Sequence, residues 1–349
     1  MNGSIYDFSG LPRVAALGPD TPAWPAAARA PAPARLPGAA RVGLVSNPLS
    51  RRNKRLGLPA PRPDVLAFAP RTRAELRDVL ARLAEERIEL LVIDGGDGTV
   101  RDVLTCAGDA WEGSWPVLAV LPSGKTNALA LDLGLPRGWT LDQALDTARA
   151  GRFATRSPVV VERRDGADGV VRGFLFGAGG FVRATALAQR THRVGAFNNV
   201  AVGLALTWAV GQTFFGPADG EWRRGERMRL RYDPRSVPMH DAALSADGPH
   251  YLLLASTLER LPLGARPFGM GRPGLKTLAI DAPPRHMVTA GVALLGGSEA
   301  ALLERAGYHR VDAPALDLDL EGEFILDGEV FPAGSYRISE GAPLSFVAP

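Results

Sequence analysis

Apolar positions along the chain fall into two regimes, which meet near residue 157. In the first, short unbroken apolar runs alternate with helical patterns. Arg41-Val-Gly-Leu-Val-Ser46 is such a run, stopped by Asn47-Pro48, and reads as a strand followed by a loop. Thr72-Arg-Ala-Glu75 has capping-box spacing and opens a helical pattern with Leu76, Val79, Leu80 and Leu83 on one face, running to about Glu86. Leu90-Leu-Val-Ile93 is apolar at every position, as in a parallel strand buried on both faces, and ends directly in Asp94-Gly-Gly-Asp-Gly-Thr99. Val100–Ala107 reads as the helix leaving that turn. Trp115–Leu121 is the next strand, closed by Pro122-Ser-Gly124 before a helical stretch from Asn127. The alternation predicts an α/β domain with parallel strands.

Beyond Ser157 the runs become short and β-rich, separated by Gly, Pro and Asp: Pro158–Arg163, Val170–Phe176, Arg227–Tyr232, Tyr251–Ser256, Leu275–Ile280 and a terminal group after Leu316. Only the 183–215 region reads as helical, so the second domain is expected to be an antiparallel, sandwich-like β structure. Met1–Ala40, rich in Pro, Ala and Gly, reads as a disordered extension without the pattern of a signal peptide.

At 349 residues and 46% hydrophobic content the chain can form two cored domains with a cleft between them. Its net charge of +3 is small, and with only three lysines (Lys54, Lys125, Lys276) among 40 basic residues the arginine excess reflects base composition; no nucleic-acid partner is inferred. A single cysteine, Cys106, excludes an intrachain disulfide and a cysteine-rich zinc site and fits a reducing cytosol. The five histidines, His192 and His286 among them, show no metal-ligand spacing. One stretch is unusual: Val194–Ala218 has no charged residue in 25 positions. Its four glycines and the amides of Asn198, Asn199 and Gln212 favour a core or membrane-surface helix over a transmembrane one.

The chemistry concentrates at the glycine turn. A phosphate chain needs converging backbone N–H groups with no Cβ in the way, which Gly95, Gly96 and Gly98 provide. Asp97 between them would repel phosphate unless it holds a metal, for which magnesium is the expectation; the alternative is a tight turn in which Asp97 bonds its own backbone. Ala119–Thr126 fits a relaxed Walker A pattern, but its first glycine is missing and Val120 and Leu121 read as strand. Lys125 could meet a phosphate, with Thr126 adding a hydroxyl, or could lie on the surface. Asn47, Ser46 and the cluster Arg51, Arg52, Lys54 and Arg55 read equally as a second candidate phosphate wall or as a solvated basic loop. Far downstream, Asp327 and Glu329 could take the proton of an attacking hydroxyl, Asp327-Gly328 being equally readable as a hairpin turn.

Four landmarks occur in order: Asn47-Pro48, Gly95–Thr99, Pro122-Ser-Gly-Lys-Thr-Asn127 and Asp327-Gly328-Glu329. Through them the chain, from about Arg41 to its end, resembles the diacylglycerol kinase catalytic-domain family, which includes bacterial soluble lipid kinases and sphingosine and ceramide kinases. The resemblance implies a nucleotide-binding domain over 41–156, like those of phosphofructokinases and NAD kinases. It also implies a β-rich lipid-substrate domain over 157–349, whose last strand could return to the first domain. ATP and Mg2+ would be the cofactors. Asn47, Gly95, Gly96, Asp97, Gly98, Thr99, Gly124, Lys125, Thr126 and Asn127 would face the nucleotide, Asp97 the metal, and Asp327 with Glu329 the lipid hydroxyl. A lipid at the membrane surface would be the partner and the protein cytoplasmic and peripherally membrane-associated, with a homodimer left open. Lys125 stands where the family usually has threonine, Asp102 near a frequent glutamate, Val182 where many relatives carry aspartate, and Arg272 where Asp-Gly is common. These departures leave the acceptor open. A soluble-metabolite kinase of NAD kinase type and a catalytically weakened nucleotide-binding regulator are the alternative readings.

Overall fold

The structure, a computed structural model, describes residues 40–107, 110–111, 114–164, 169–193, 224–239, 245–270, 272 and 274–349. The Met1–Ala40 extension, apart from Ala40, and the uncharged Val194–Ala218 stretch lie outside them. In chain order the strands are β1 Val42–Ser46, β2 Val65–Phe68, β3 Leu90–Gly95, β4 Val117–Pro122, β5 Phe153–Arg156, β6 Val159–Arg163, β7 Val170–Gly173, β8 Leu175–Gly179 and β9 Glu226–Tyr232. They continue with β10 Val237–Pro238, β11 Ser245–Ser256, β12 Lys276–Asp281, β13 Tyr308–Asp312, β14 Ala315–Leu320, β15 Phe324–Leu326, β16 Glu329–Phe331, β17 Gly334–Glu340 and β18 Leu344–Val347. The helices are α1 Arg51–Leu56, α2 Arg73–Glu85, α3 Asp97–Cys106, α4 Ala128–Asp132, α5 Leu141–Arg149, α6 Gly180–Arg193, α7 Met287–Leu295 and α8 Ala301–Arg305.

The first sheet has the order β2-β1-β3-β4-β18-β5. Its strands are parallel except the edge strand β5, which runs antiparallel to β18. The β3 side chains are buried on both faces, as its unbroken apolar run requires. On one face α2 and α3 cover Leu91, Ile93 and Leu118, and on the other α5 covers Leu90, Val92 and Ala119. The second sheet is antiparallel, in the order β10-β13-β12-β11-β9-β14-β17-β6-β7, with β8 on β11 and the β15–β16 hairpin on β8. The two parts share a core, because Phe174 and Leu258 of the second pack into the cluster around α3.

The chain thus combines a parallel α/β sheet with an antiparallel β-rich part, and it departs from the expected element list in several places: α1 follows β1 in place of the expected loop, and β2, β5 and β13 match no expected run. The run Val170–Phe176 is two strands, broken at Phe174. α7 and α8 add helices to the part expected to be helical only at 183–215, where α6 is described as far as Arg193. Helix α3 begins at Asp97, three residues before the expected start, so Asp97-Gly98-Thr99 is its first turn. The α2 cap is also half of the expected box: Thr72 Oγ1 accepts from Glu75 N, but Glu75 Oε2 accepts from Arg71 N and not from Thr72. Cys106 is buried, and burial pushes its thiol up to about 11.

Candidate active site

The C-terminal ends of β1, β3 and β4 lie side by side, and the three loops leaving them are bonded into one platform. Asp94 is its hub. At the end of β3 and fully buried, it accepts from Asn53 Nδ2 at 2.8 Å and from Ser123 Oγ, tying α1 and the loop after β4 to β3. Burial raises its pKa. Asn47 N donates to Asp94 O at 2.8 Å, and Ser123 N to Gly95 O at 2.9 Å.

On this platform Gly96 and Gly124 approach backbone to backbone. A Cβ on Gly96 would lie 2.8 Å from the Gly124 Cα, and one on Gly124 would lie 2.5 Å from the Gly96 Cα. No other residue fits at either position without separating the loops. The loop after β4 is closed by Asn127, in the left-handed conformation (φ 52°), whose Oδ1 accepts from Gly124 N at 2.9 Å. Lys125 and Thr126 at its tip are exposed.

Several expected contacts have other partners. The buried Asn47 donates through Nδ2 to the buried Thr99 Oγ1 at 2.8 Å, so both side chains brace the loop from inside and do not face the cleft. A Cβ on Gly95 would stand 2.4 Å from Thr99 Cβ, so glycine is needed there against Thr99. Asp97, the expected metal residue, accepts through Oδ2 from Ala128 N at 3.0 Å and through Oδ1 from Leu129 N at 3.2 Å. It caps α4, and burial raises its pKa. Of the glycine turn, Gly98 lies open: a Cβ there would meet nothing nearer than 3.8 Å. The α3 N-terminus, with Gly98 and the exposed Lys125 and Thr126 beside it, is therefore the surface left for an anion.

The far downstream residues reach this surface. Asp327 and Gly328, both at positive φ (46° and 82°), form the tight turn of the β15–β16 hairpin. The turn is set against α3, the Asp327 carbonyl being 3.8 Å from the Cβ position of Gly98. Asp327 Oδ2 accepts from Phe174 N at 2.9 Å and Oδ1 from Leu175 N at 3.0 Å, at the break between β7 and β8. Each oxygen retains a lone pair. Burial first, then the neighbouring charge of Asp97, pushes the Asp327 carboxyl up to about 7. Glu329 is turned elsewhere: its Oε2 pairs with Arg101 Nη2 at 3.4 Å. Arg101 is fully buried, also donating to Asp102 Oδ1 at 2.8 Å and to Leu326 O at 3.2 Å, and Asp102 takes a further pair from Arg73 at 3.3 Å. Asp102 is thus an internal ion-pair hub, not a helix-surface carboxylate, and Glu329 locks the hairpin to α3.

Asn53, Ser123, Arg101 and the role of Asp94 were not apparent in the sequence. Asp94 and Ser123 sit inside the landmark motifs, but Arg101 looks like any charged residue on a helix. In the second part Arg272 pairs with Asp312 at 3.1 Å, and Val182 lies in the first turn of α6. Among the described residues no three His, Cys, Asp or Glu side chains converge as metal ligands. Magnesium on a nucleotide needs only one or two carboxylates, with phosphates and water completing the shell. Asp97, in the first turn of α3, is the candidate for one of them.

Comparison with known proteins bears on this arrangement. Residues 63–158 match the diacylglycerol kinase catalytic domain. This match takes in the Gly95–Thr99 and Pro122–Asn127 loops, whereas Asn47 and Asp327 lie outside it. The proteins called "Probable lipid kinase YegS" in Salmonella arizonae and Salmonella heidelberg are 39% identical over 64 residues, 18% of this chain. The alignment spans 21% of their length, about a fifth. A diacylglycerol kinase crystal structure from Bacillus anthracis str. Sterne superposes with a TM-score of 0.56 over 89% of this chain and 97% of that one, at 15% identity. The fold around the diacylglycerol kinase catalytic domain is therefore shared well beyond the matched residues.

Proposed function

We propose that the protein is an ATP- and magnesium-dependent lipid kinase that transfers the γ-phosphoryl group to a lipid hydroxyl, of a diacylglycerol or of a ceramide-like or sphingoid alcohol. The observation that carries the reading is the seating of Asp327, from the far end of the chain, against the first turn of α3. Around it the α3 N-terminus and the Gly124–Asn127 loop form an anion-binding surface. The diacylglycerol kinase match and the Salmonella relatives, named as lipid kinases, support the same reading. The α/β part would serve as a nucleotide domain of the phosphofructokinase and NAD kinase kind.

The Gly98 N–H and Lys125 would hold the nucleotide phosphates, and Gly96 and Gly124, by their close approach, keep the two loops at one spacing. Asp327, with a carboxyl near 7, would accept the proton of the attacking hydroxyl. Asp97 would hold magnesium, which offsets phosphate charge when bound, leaving Asp327 as the base. Arg101 and Glu329 hold Asp327 in place without touching the reacting atoms.

Incubation of the purified protein with γ-labelled ATP, magnesium and a panel of lipid alcohols is expected to label one lipid class. Labelling of no lipid under any condition would overturn the proposal. A separate measurement divides the two roles of Asp97. Asp97→Ala is expected to lower unfolding stability by about 1–2 kcal/mol, the usual cost of a lost helix cap. If Asp97 also holds the metal, the magnesium concentration needed for half-maximal transfer rises at least about tenfold, the usual cost of a lost ligand or its support.

A further inference from the structure

Helix α7 is apolar on both its faces. Its nine residues carry no charge. Ala290 and Leu294 are buried in the core, yet Val288, Val292 and Leu295, on the opposite side, are 55%, 72% and 53% exposed. Met270, 52% exposed, is tied to the end of α7 by Arg266, whose N donates to Leu295 O at 2.9 Å and whose side chain lies against the Met270 sulfur, and Leu302 of α8, seven residues beyond Leu295, is 72% exposed. A surface helix whose exposed side is apolar but for Thr289 is out of place in water, and a patch of this kind marks an interaction site. Its rim is cationic. Arg266, Arg285 and Arg305 are exposed, and among the described residues none of them forms an ion pair. Glu299 is the exposed acidic side chain close by, and its Oε1 accepts from Met270 N at 3.3 Å.

We infer that the α7–α8 face is a membrane-docking surface, laid flat on a bilayer containing anionic lipid. The apolar side chains would enter the headgroup boundary and the arginines meet lipid phosphates. At nine residues α7 is too short to cross a membrane, so a contact through this face is interfacial. A second copy of the chain suits the face less well, because an isologous interface would bring the same arginine rim against itself. The inference extends the lipid-kinase reading by naming the face that meets the substrate's membrane, but it concerns binding alone and is testable without turnover.

Co-sedimentation of the full chain, without nucleotide, is measured on phosphatidylcholine vesicles with and without phosphatidylglycerol. Wild type is expected to bind the anionic vesicles, Val292→Glu/Leu295→Glu at least about tenfold more weakly, and Arg285→Ala or Arg305→Ala about fivefold more weakly. A second readout tolerates changes in affinity: because Cys106 is buried, a thiol-reactive, environment-sensitive dye on Val292→Cys reports residue 292, and its emission should shift to the blue on anionic vesicles. Equal binding by the glutamate variant, no emission shift, or a wild-type dimer that this variant splits without any vesicle binding would each overturn the inference. Transfer to a short-chain, water-soluble acceptor is measured in parallel. If wild type binds vesicles but phosphorylates nothing, the kinase reading fails and the docking face stands.

Discussion

Asp327→Asn is expected to lower lipid phosphorylation by about 10²–10⁴-fold, the usual contribution of a positioned general base, with much less effect on ATP affinity. The variant keeps the size of the side chain, but its amide can no longer accept from both Phe174 N and Leu175 N, so some local stability is lost as well. A pH profile separates the two effects. Because burial and Asp97 push the Asp327 carboxyl up to about 7, the wild-type transfer rate should rise as pH increases through about 7, when the base becomes ionised. Stability moves the other way. The folded carboxyl holds its proton over a range where an unfolded one has released it, so Asp327 contributes stability that is fully present below the ordinary carboxylate range and is lost as pH rises through about 7. Rate and thermal stability, followed together across this window in wild type and Asp327→Asn, should show opposite slopes in the first and neither slope in the second. A wild-type rate that is flat from acid pH to above 7 would remove Asp327 from the role of base.

Gly124→Ala is expected to be the most damaging small substitution in the nucleotide loops. Its Cβ would stand 2.5 Å from the Gly96 Cα and 2.8 Å from Asn127 Oδ1, and the first of these atoms is backbone that can move only by parting the loops. Overpacking of this kind costs about 1–3 kcal/mol. Parting the loops also moves Lys125 and the α3 N-terminus out of register, so ATP affinity should fall at least about tenfold, in line with misplaced phosphate contacts. Gly98→Ala is the control. Its Cβ meets nothing within 3.8 Å and lies in the first turn of α3, where alanine is the better helix former, so the melting temperature should stay level or rise. Thermal melts and nucleotide titration of both variants check the pair, and a Gly124→Ala protein with wild-type melting and affinity would show that the loops need no close approach.

Much of the α/β part was legible because its physics is local. Leu90–Ile93 could only be a strand buried on both faces, Thr72 with Leu76, Leu80 and Leu83 fixed a helix, and Asp327-Gly328 between apolar runs announced a hairpin. α7 was illegible for an equally local reason: with Val288, Val292 and Leu295 outside and Ala290 and Leu294 inside, its sequence has no polar face from which a 3.6-residue period could be read. The start of α3 was misplaced because Gly96 and Gly98 suggest a turn, whereas the first turn of a helix tolerates glycine.

Within the candidate site the division follows the range of the interactions. Which residues are special could be read along the chain, since glycines flanking a carboxylate after a buried strand, and an Asp-Gly-Glu far downstream, are unusual whatever they touch. What each one does came from the fold. It placed Asn47 on Thr99, Asp97 on the α4 N-terminus, Glu329 on Arg101, and Asp327 beside Asp97 across more than two hundred residues of chain. The reason is that hydrogen bonds and charge interactions act over a few ångströms of space. Their partners are therefore set by which strands the fold aligns, and separation along the sequence carries no record of it.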